Sequence, residues 1–264
     1  MKNLKKILVS LLIFGIVGSV MAQTVPNVSD EIPAEKRKAA GILMDNVENQ
    51  YRYMDHDYSC TVSLIVEKPG EPKEQLQFKL FQRAAKDQFS MIQLQPEADK
   101  GAGFLQEGDN FWYYDPIGRK FSHTSLKENI GNSDTKASDL NKTNTWRNHY
   151  KITTFDEGKV GSYAVYIITL QATTNEPSYA KTVFYIRQDL PLILKQEDYS
   201  ANNRLMRTML VPKYTKANNQ FVATQIILRD EVNKGEQTQQ IISEISFAPI
   251  PDKVFTKAYL EQIN

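Results

Sequence analysis

From Tyr58 onward the hydrophobic pattern of this chain has a period of two, and it keeps that period almost to the end. Cys60, Val62, Leu64 and Val66 share one side of a strand. Leu76, Phe78 and Leu80 share one side of the next, after the turn-like EKPGEPKE. Phe89 and Met91, then GFLQ, NFWYY and RKFSH, follow. Past residue 160 the signature returns in YAVYIITL, KTVFYIR, LILKQEDY, RLMRTMLV, VATQIILR and QIISEISF. Turn chemistry separates these runs at Glu157-Gly158, Asn175 to Pro177, Leu190-Pro191, Ala201 to Asn203, Lys216 to Asn219 and Asn233 to Gly235. About a dozen short strands at near-regular spacing predict an antiparallel meander. YAVYIITL and TQIILR are apolar on both faces, so their sheet must be covered on each side or hold a ligand.

Three stretches depart from that rhythm. Ahead of it, Ala39, Ile42, Leu43, Val47, Tyr51 and Met54 recur at helical intervals, with Pro33 suited to a first turn. An amphipathic helix is expected there. Ser125 to Tyr150 is polar, with isolated Leu126, Ile130, Leu140 and Trp146; such an excursion is a functional lid or a loop without fixed structure. Near the end, Asp252 is placed to cap a helix carrying Val254, Phe255, Ala258 and Tyr259 on one side.

The first residues read as an export signal. Lys2, Lys5 and Lys6 precede the apolar run Ile7 to Val17, and small residues lead to an expected cleavage after Ala22. The apolar run is short for a membrane span, which takes about 20 residues. The expected organisation is a signal peptide at 1–22 and one domain at 23–264, in a bacterial periplasm. Cys60 is the only cysteine, so no internal disulfide can form and no lipid-bearing cysteine follows the cleavage point. The whole chain carries 32 basic and 31 acidic residues. The signal holds three of the lysines and no acid, which leaves a formal charge near −2. That balance supplies no basic stripe for nucleic acid or for an anionic membrane surface.

Enzyme machinery is hard to find. G-x-S-x-G, H-E-x-x-H and C-x-x-C are absent, and the GAG at 101–103 lacks the remainder of a phosphate loop. His56, His123 and His149 have no metal-ligand spacing, so no metal is expected. Cys60 follows His56 by four residues, but it opens an alternating strand as a buried cysteine would. A hydrolase using Asp55, His56 and Cys60 would need those side chains within hydrogen-bond reach.

What is left is hydrophobic. Lys100 to His123, KGAGFLQEGDNFWYYDPIGRKFSH, gathers Phe104, Phe111, Trp112, Tyr113, Tyr114 and Phe121 between glycines. In a hairpin these alternate, so Phe111 and Tyr113 face one way while Trp112 and Tyr114 face the other. The stretch is similar to the K-G-x-G-F/L-L-x-x-G-D/N run, followed by aromatics and a proline, of the outer-membrane lipoprotein-sorting proteins, the LolA-like family. The order of helix, YSCTVSLIVEKPG, FKLFQRAAKDQFSMIQLQP and hairpin agrees, and IPDKVFTKAYLEQ is similar to the family's closing segment.

The resemblance implies a mainly β fold with some α: a curved, incomplete antiparallel β-barrel of about 11 strands with helices over its concave side. It implies a carrier that holds the acyl chains of lipoproteins or other lipids, takes them from an inner-membrane exporter and delivers them to an outer-membrane acceptor. Neither catalysis nor a cofactor is implied, and membrane contact is transient. A monomer is expected. Alternation gives Phe78, Phe89, Met91, Phe104, Trp112, Tyr114, Phe184 and Leu192 as candidate lipid contacts. Leu140 and Trp146 are candidate lid residues, and Arg83 stands where the family places a lid-holding arginine. The 125–150 segment is more polar than the family's, and the chain is longer. The competing expectation is an accessory subunit of an inner-membrane lipid exporter, with the sheet as an interaction platform. A filled sheet interior would favour it.

Overall fold

The computed structural model describes residues 32–140 and 146–263. The expected signal peptide lies outside them. Helix α1 (Ala34–Asn49) starts at Pro33, whose missing N–H costs a helix nothing at that position. The chain then runs through β1 (Tyr58–Glu67), β2 (Glu74–Arg83), β3 (Gln88–Gln95), β4 (Gly103–Glu107), β5 (Asn110–Asp115) and β6 (Lys120–Thr124). Two short helices, α2 (Ala137–Leu140) and α3 (Trp146–His149), interrupt the strands. There follow β7 (Tyr150–Val160), β8 (Tyr163–Ala172), β9 (Lys181–Arg187), β10 (Ile193–Tyr199), β11 (Leu205–Ala217), β12 (Gln220–Asp230) and β13 (Gln237–Ser246), and α4 (Lys257–Gln262) ends the fold.

The 13 strands form one antiparallel sheet in the order β6-β5-β4-β3-β2-β1-β13-β12-β11-β10-β9-β8-β7. Two meanders are thus joined where the first strand pairs with the last, and β6 and β7 are left as edges. The sheet cannot be flat. Phe111 on β5 and Leu170 on β8 line the same cavity although ten strand spacings separate them. Laid flat, those strands would be about 48 Å apart at ~4.8 Å per spacing. Register shifts at Ser59/Thr61, Leu210/Lys213 and Ile152/Thr154 supply bulges, which bend and twist strands locally. The result is the expected incomplete barrel, with 13 strands where about 11 were expected. Glu31–Asn264 make one compact unit.

Alternation sorts the side chains into an inner and an outer face. The inner face carries Cys60, Val62, Leu64, Phe78, Leu80, Phe89, Met91, Phe104 and Phe111 in one buried cluster. It continues across Ile168, Leu170, Ile186 and Ile193, onto which α1 packs Ala40, Met44 and Val47. The helix is present as the sequence suggests and Val47 is buried as expected, but in its first turns the buried stripe is rotated by one residue. Ala39 and Ile42 face solvent, Ile42 at 54 % exposure. Residues 39–44 are apolar or small throughout, so periodicity alone does not fix the phase there.

Two further differences have physical reasons. The eleven-residue strand β7 begins at the last residue of the polar excursion and runs through the expected Glu157-Gly158 turn. It is an edge strand with much of its surface in water, so it has no hydrophobic alternation to betray it. The real turn follows it, with Gly161 at φ 59°. At the C-terminus, Asp252 is not the cap of α4; Thr256 is, accepting from the Tyr259 N–H at 3.3 Å.

Helix α4 lies on the outer face. Leu260, fully buried, packs with Ile92, Leu105 and Tyr114, and Trp112, Phe121 and Phe81 surround them. Gly103 makes this approach possible. A Cβ there would stand 2.7 Å from the Met91 carbonyl oxygen and 3.1 Å from Leu260 Cδ2. Gly103→Ala is therefore expected to destabilise the fold by about 1–3 kcal/mol, the usual cost of overpacking. Urea unfolding midpoints at unchanged slope will show it.

Candidate functional site

The inner face does not close on itself. Between β1, β2, β5 and β8–β13 it encloses a cavity of about 840 Å³, roofed by α1, by residues 125–140 and by α3. Val62, Leu80, Leu170, Phe184, Met209 and Leu228 are among its apolar walls. Tyr51, Tyr53 and Tyr58 form an aromatic side, with the Tyr53 and Tyr58 rings 5.1 Å apart, edge to face. Burial pushes both of those hydroxyls far above the ordinary tyrosine range.

The roof is built rather than draped. Ile130 is buried against the β1–β2 cluster, and Ser133 donates to the Ile130 carbonyl at 2.6 Å. Gln240 of β13 donates to the buried Thr135 hydroxyl at 2.8 Å, and Thr238 donates to Asp134 at 2.9 Å. The polar sequence of this segment is thus used to bond it to the sheet.

Two ionic anchors complete the roof. Arg207 of β11 is 5 % exposed and bonds Asp139 of α2 through both terminal nitrogens, at 2.6 and 3.1 Å. Its Nε donates to Asp198 at 3.0 Å, and Asp198 also accepts from Thr182 at 3.0 Å and Gln196 at 2.7 Å. Burial works against the guanidinium charge, but Asp139 and Asp198 outweigh it and hold the pKa well above its usual value. At the other anchor, Arg147 grips Asp45 of α1 at 2.6 and 3.0 Å, and the Trp146 indole N–H donates to Asp45 at 3.2 Å. The Arg147 hydrogen bond holds the Asp45 carboxyl below its ordinary range. Glu48 accepts from the Trp146 backbone N–H at 2.6 Å, while burial raises its own pKa.

The candidate contacts divide. Phe184 lines the cavity, as do Leu140 and Trp146 of the roof. Phe78, Phe89, Met91 and Phe104 share the inner face but are packed in the solid cluster beside the cavity. Leu192 is buried in the β9–β10 turn, outside the lining. Trp112 and Tyr114 are corrected outright, because they face outward beneath α4. Arg83 does not hold the roof. It bonds Asp57, Gln88 at 2.8 Å, Asp252 at 2.7 Å and the Ile250 carbonyl at 2.6 Å, which fastens the C-terminal segment instead.

Sequence reasoning missed Arg207, Asp139 and Asp198. The signal was available for Arg207, a charge at the same parity as Met209 and Val211 on an otherwise apolar inner face.

Cys60 faces the cavity, and burial lifts its thiol to about 11, opposite to what a nucleophile needs. Asp55 and His56 lie in a separate cleft with Arg52 and Arg83. Among the described residues, the carboxylates of Asp134, Asp230 and Glu236 come within 4.8 Å of one another. Thr238, Asn233 and Lys68 already engage them.

An open antiparallel sheet curved around an apolar cavity is a fold this chain shares with several solved proteins. A LolA superfamily protein of Nitrosomonas europaea superposes with a TM-score of 0.69 at 18% identity, covering 81% of this chain and 99% of that one. A DUF1329 family protein of Desulfovibrio piger gives 0.76 at 18% identity, covering 85% and 99%. A Vibrio parahaemolyticus domain, provisionally named an outer membrane lipoprotein-sorting protein, gives 0.72 at 18% identity over 83% and 98%. Residues 85–262 match the model of a family described as "Uncharacterized protein", and the chain belongs to that family. No curated protein matches the sequence.

Proposed function

We propose that this protein is a periplasmic carrier, a lipid-binding chaperone that holds acyl chains of lipoproteins or other lipids in its cavity and moves them toward the outer membrane. The observation that carries this reading is the unfilled apolar interior of about 840 Å³ beneath an anchored roof. An interaction platform has no use for such an interior, which supports the carrier over an accessory exporter subunit. Each methylene buried there contributes about 0.8 kcal/mol, so one long chain binds without a charged anchor. The fold shared with a lipoprotein-sorting domain supports the same reading. Release after residue 22 would leave residues 23–264 as a single lipid-binding domain working as a monomer, without catalysis, cofactor or nucleic acid. An inner-membrane exporter would load it and an outer-membrane acceptor would unload it. Purification from cells followed by lipid mass spectrometry tests this. Co-purifying lipid approaching one equivalent is the expected result. Absence of lipid together with no uptake of a fluorescent fatty acid would sink the proposal.

A further inference from the structure

We infer that the cavity is built for an amphiphile with an oxyanion head, and that this head takes the place of Asp139 on Arg207. The inference rests on the carrier reading and names the ligand class for the same site. Three observations lead to it.

First, Arg207 is a buried guanidinium that lines an otherwise largely apolar cavity, where a planar fork suits a bidentate oxyanion. Second, its two carboxylate partners are not equivalent. Asp198 is part of the sheet, has a fully buried side chain and is tied by Thr182 and Gln196 as well. Asp139 arrives on a four-residue helix of the roof, with a side chain 15% exposed. Apart from Arg207, it also accepts from the Lys136 N–H at 2.8 Å. An incoming anion would exchange with Asp139 like for like, leaving Asp198 to keep its half of the fork.

Third, positive charge gathers at this end of the cavity. Lys127 lines it and donates to the Asn175 carbonyl at 2.8 Å. Lys136 donates to the Lys127 carbonyl at 2.8 Å and lies 6.0 Å from the Tyr179 ring, whose centroid is 5.0 Å from the Arg207 guanidinium. Both ammonium groups are thus held by neutral oxygens, and Lys136 shares the Tyr179 ring with Arg207. Exchange would also remove the bond that ties α2 to β11, so filling the cavity loosens its roof.

The test is isothermal titration of the purified protein with dodecyl phosphate, with monolaurin as the uncharged chain, and with inorganic phosphate alone. Dodecyl phosphate is expected to bind at least about tenfold more tightly than monolaurin, the effect of one charge-assisted contact. Inorganic phosphate is expected to show no measurable binding. In Asp139→Asn the competing carboxylate is gone, so the preference for dodecyl phosphate over monolaurin is expected to widen by about tenfold, any effect of the looser roof falling on both chains alike. Equal affinity for the two chains in the wild type overturns the inference and leaves the carrier reading standing. So does a preference left unchanged by Asp139→Asn. Phosphate alone binding as well as dodecyl phosphate would mark a free-anion site and also overturn it. Failure of both chains to bind sinks the carrier reading with it. The wild-type comparison stands without the variant, should Asp139→Asn not fold.

Discussion

Replacing Arg83 by alanine is expected to lower the unfolding free energy by about 3–5 kcal/mol, the range for removing one partner of a buried ion pair. One residue holds three separate pieces of chain. Arg83 ends β2, bonds Asp57 ahead of β1, and reaches Asp252 and the Ile250 carbonyl after β13. Its guanidinium also stacks 5.1 Å from the centre of the Phe255 ring. Without it, Asp57 keeps the Ile250 N–H, at 2.8 Å, as its hydrogen-bond donor among the described residues. Asp252 is mostly in water, so most of the loss comes from Asp57 and the buried carbonyl. Thermal unfolding should fall by roughly 6–20 °C, at about 2–4 °C per kcal/mol for a chain of this size. Arg83→Lys will recover only part of it, since a lysine cannot present the same fork. A loss below about 1 kcal/mol would mean the C-terminal segment is held by its apolar contacts alone.

Replacing Met209 by tryptophan is expected to weaken acyl-chain binding by about 100-fold with the fold intact. Met209 is half-buried on the inner face of β11 and lines the cavity between Arg207 and Val211. An indole there occupies room otherwise open to the chain. Displacing about four methylenes forfeits roughly 3 kcal/mol of burial. Displacement of a fluorescent fatty acid measures it, with circular dichroism as the check on folding. Unchanged affinity would place the chain elsewhere.

Much of this fold could be read from residue order, and what could not has a common cause. Period-two alternation puts Cys60, Val62 and Leu64 on one side of their strand and Leu76, Phe78 and Leu80 on one side of the next, and the fold joins the two sets in one buried cluster. Alternation sorts residues into two faces without saying which face surrounds a space. Phe111 and Trp112 are adjacent and equally aromatic; one looks toward the cavity and the other lies under α4. That choice is made by Leu260 and Gly103, remote or bland in sequence. Helix α1 shows the same limit, because apolar residues on several sides let tertiary packing select Ala40 and Met44 over Ala39 and Ile42. Arg207 illustrates the reverse. A charge in an apolar register is a local anomaly, and its meaning emerges only when Asp139, 68 residues away, meets it.

The linkage of β6 to β7 carries a consequence for how this molecule behaves in company. Any unclosed sheet exposes two rows of unpaired backbone amides, which are templates for other chains. Here both edge strands reach the cavity, and residues 125–140 and α3 lie over it. β7 also carries Lys151, Asp156, Glu157 and Lys159, charges that discourage edge-to-edge pairing. The polar side chains of residues 125–140, odd for the cover of a greasy chamber, bond that cover to β13. On the proposed carrier reading, a molecule with two such edges does best to open only where a partner stands ready to shield them.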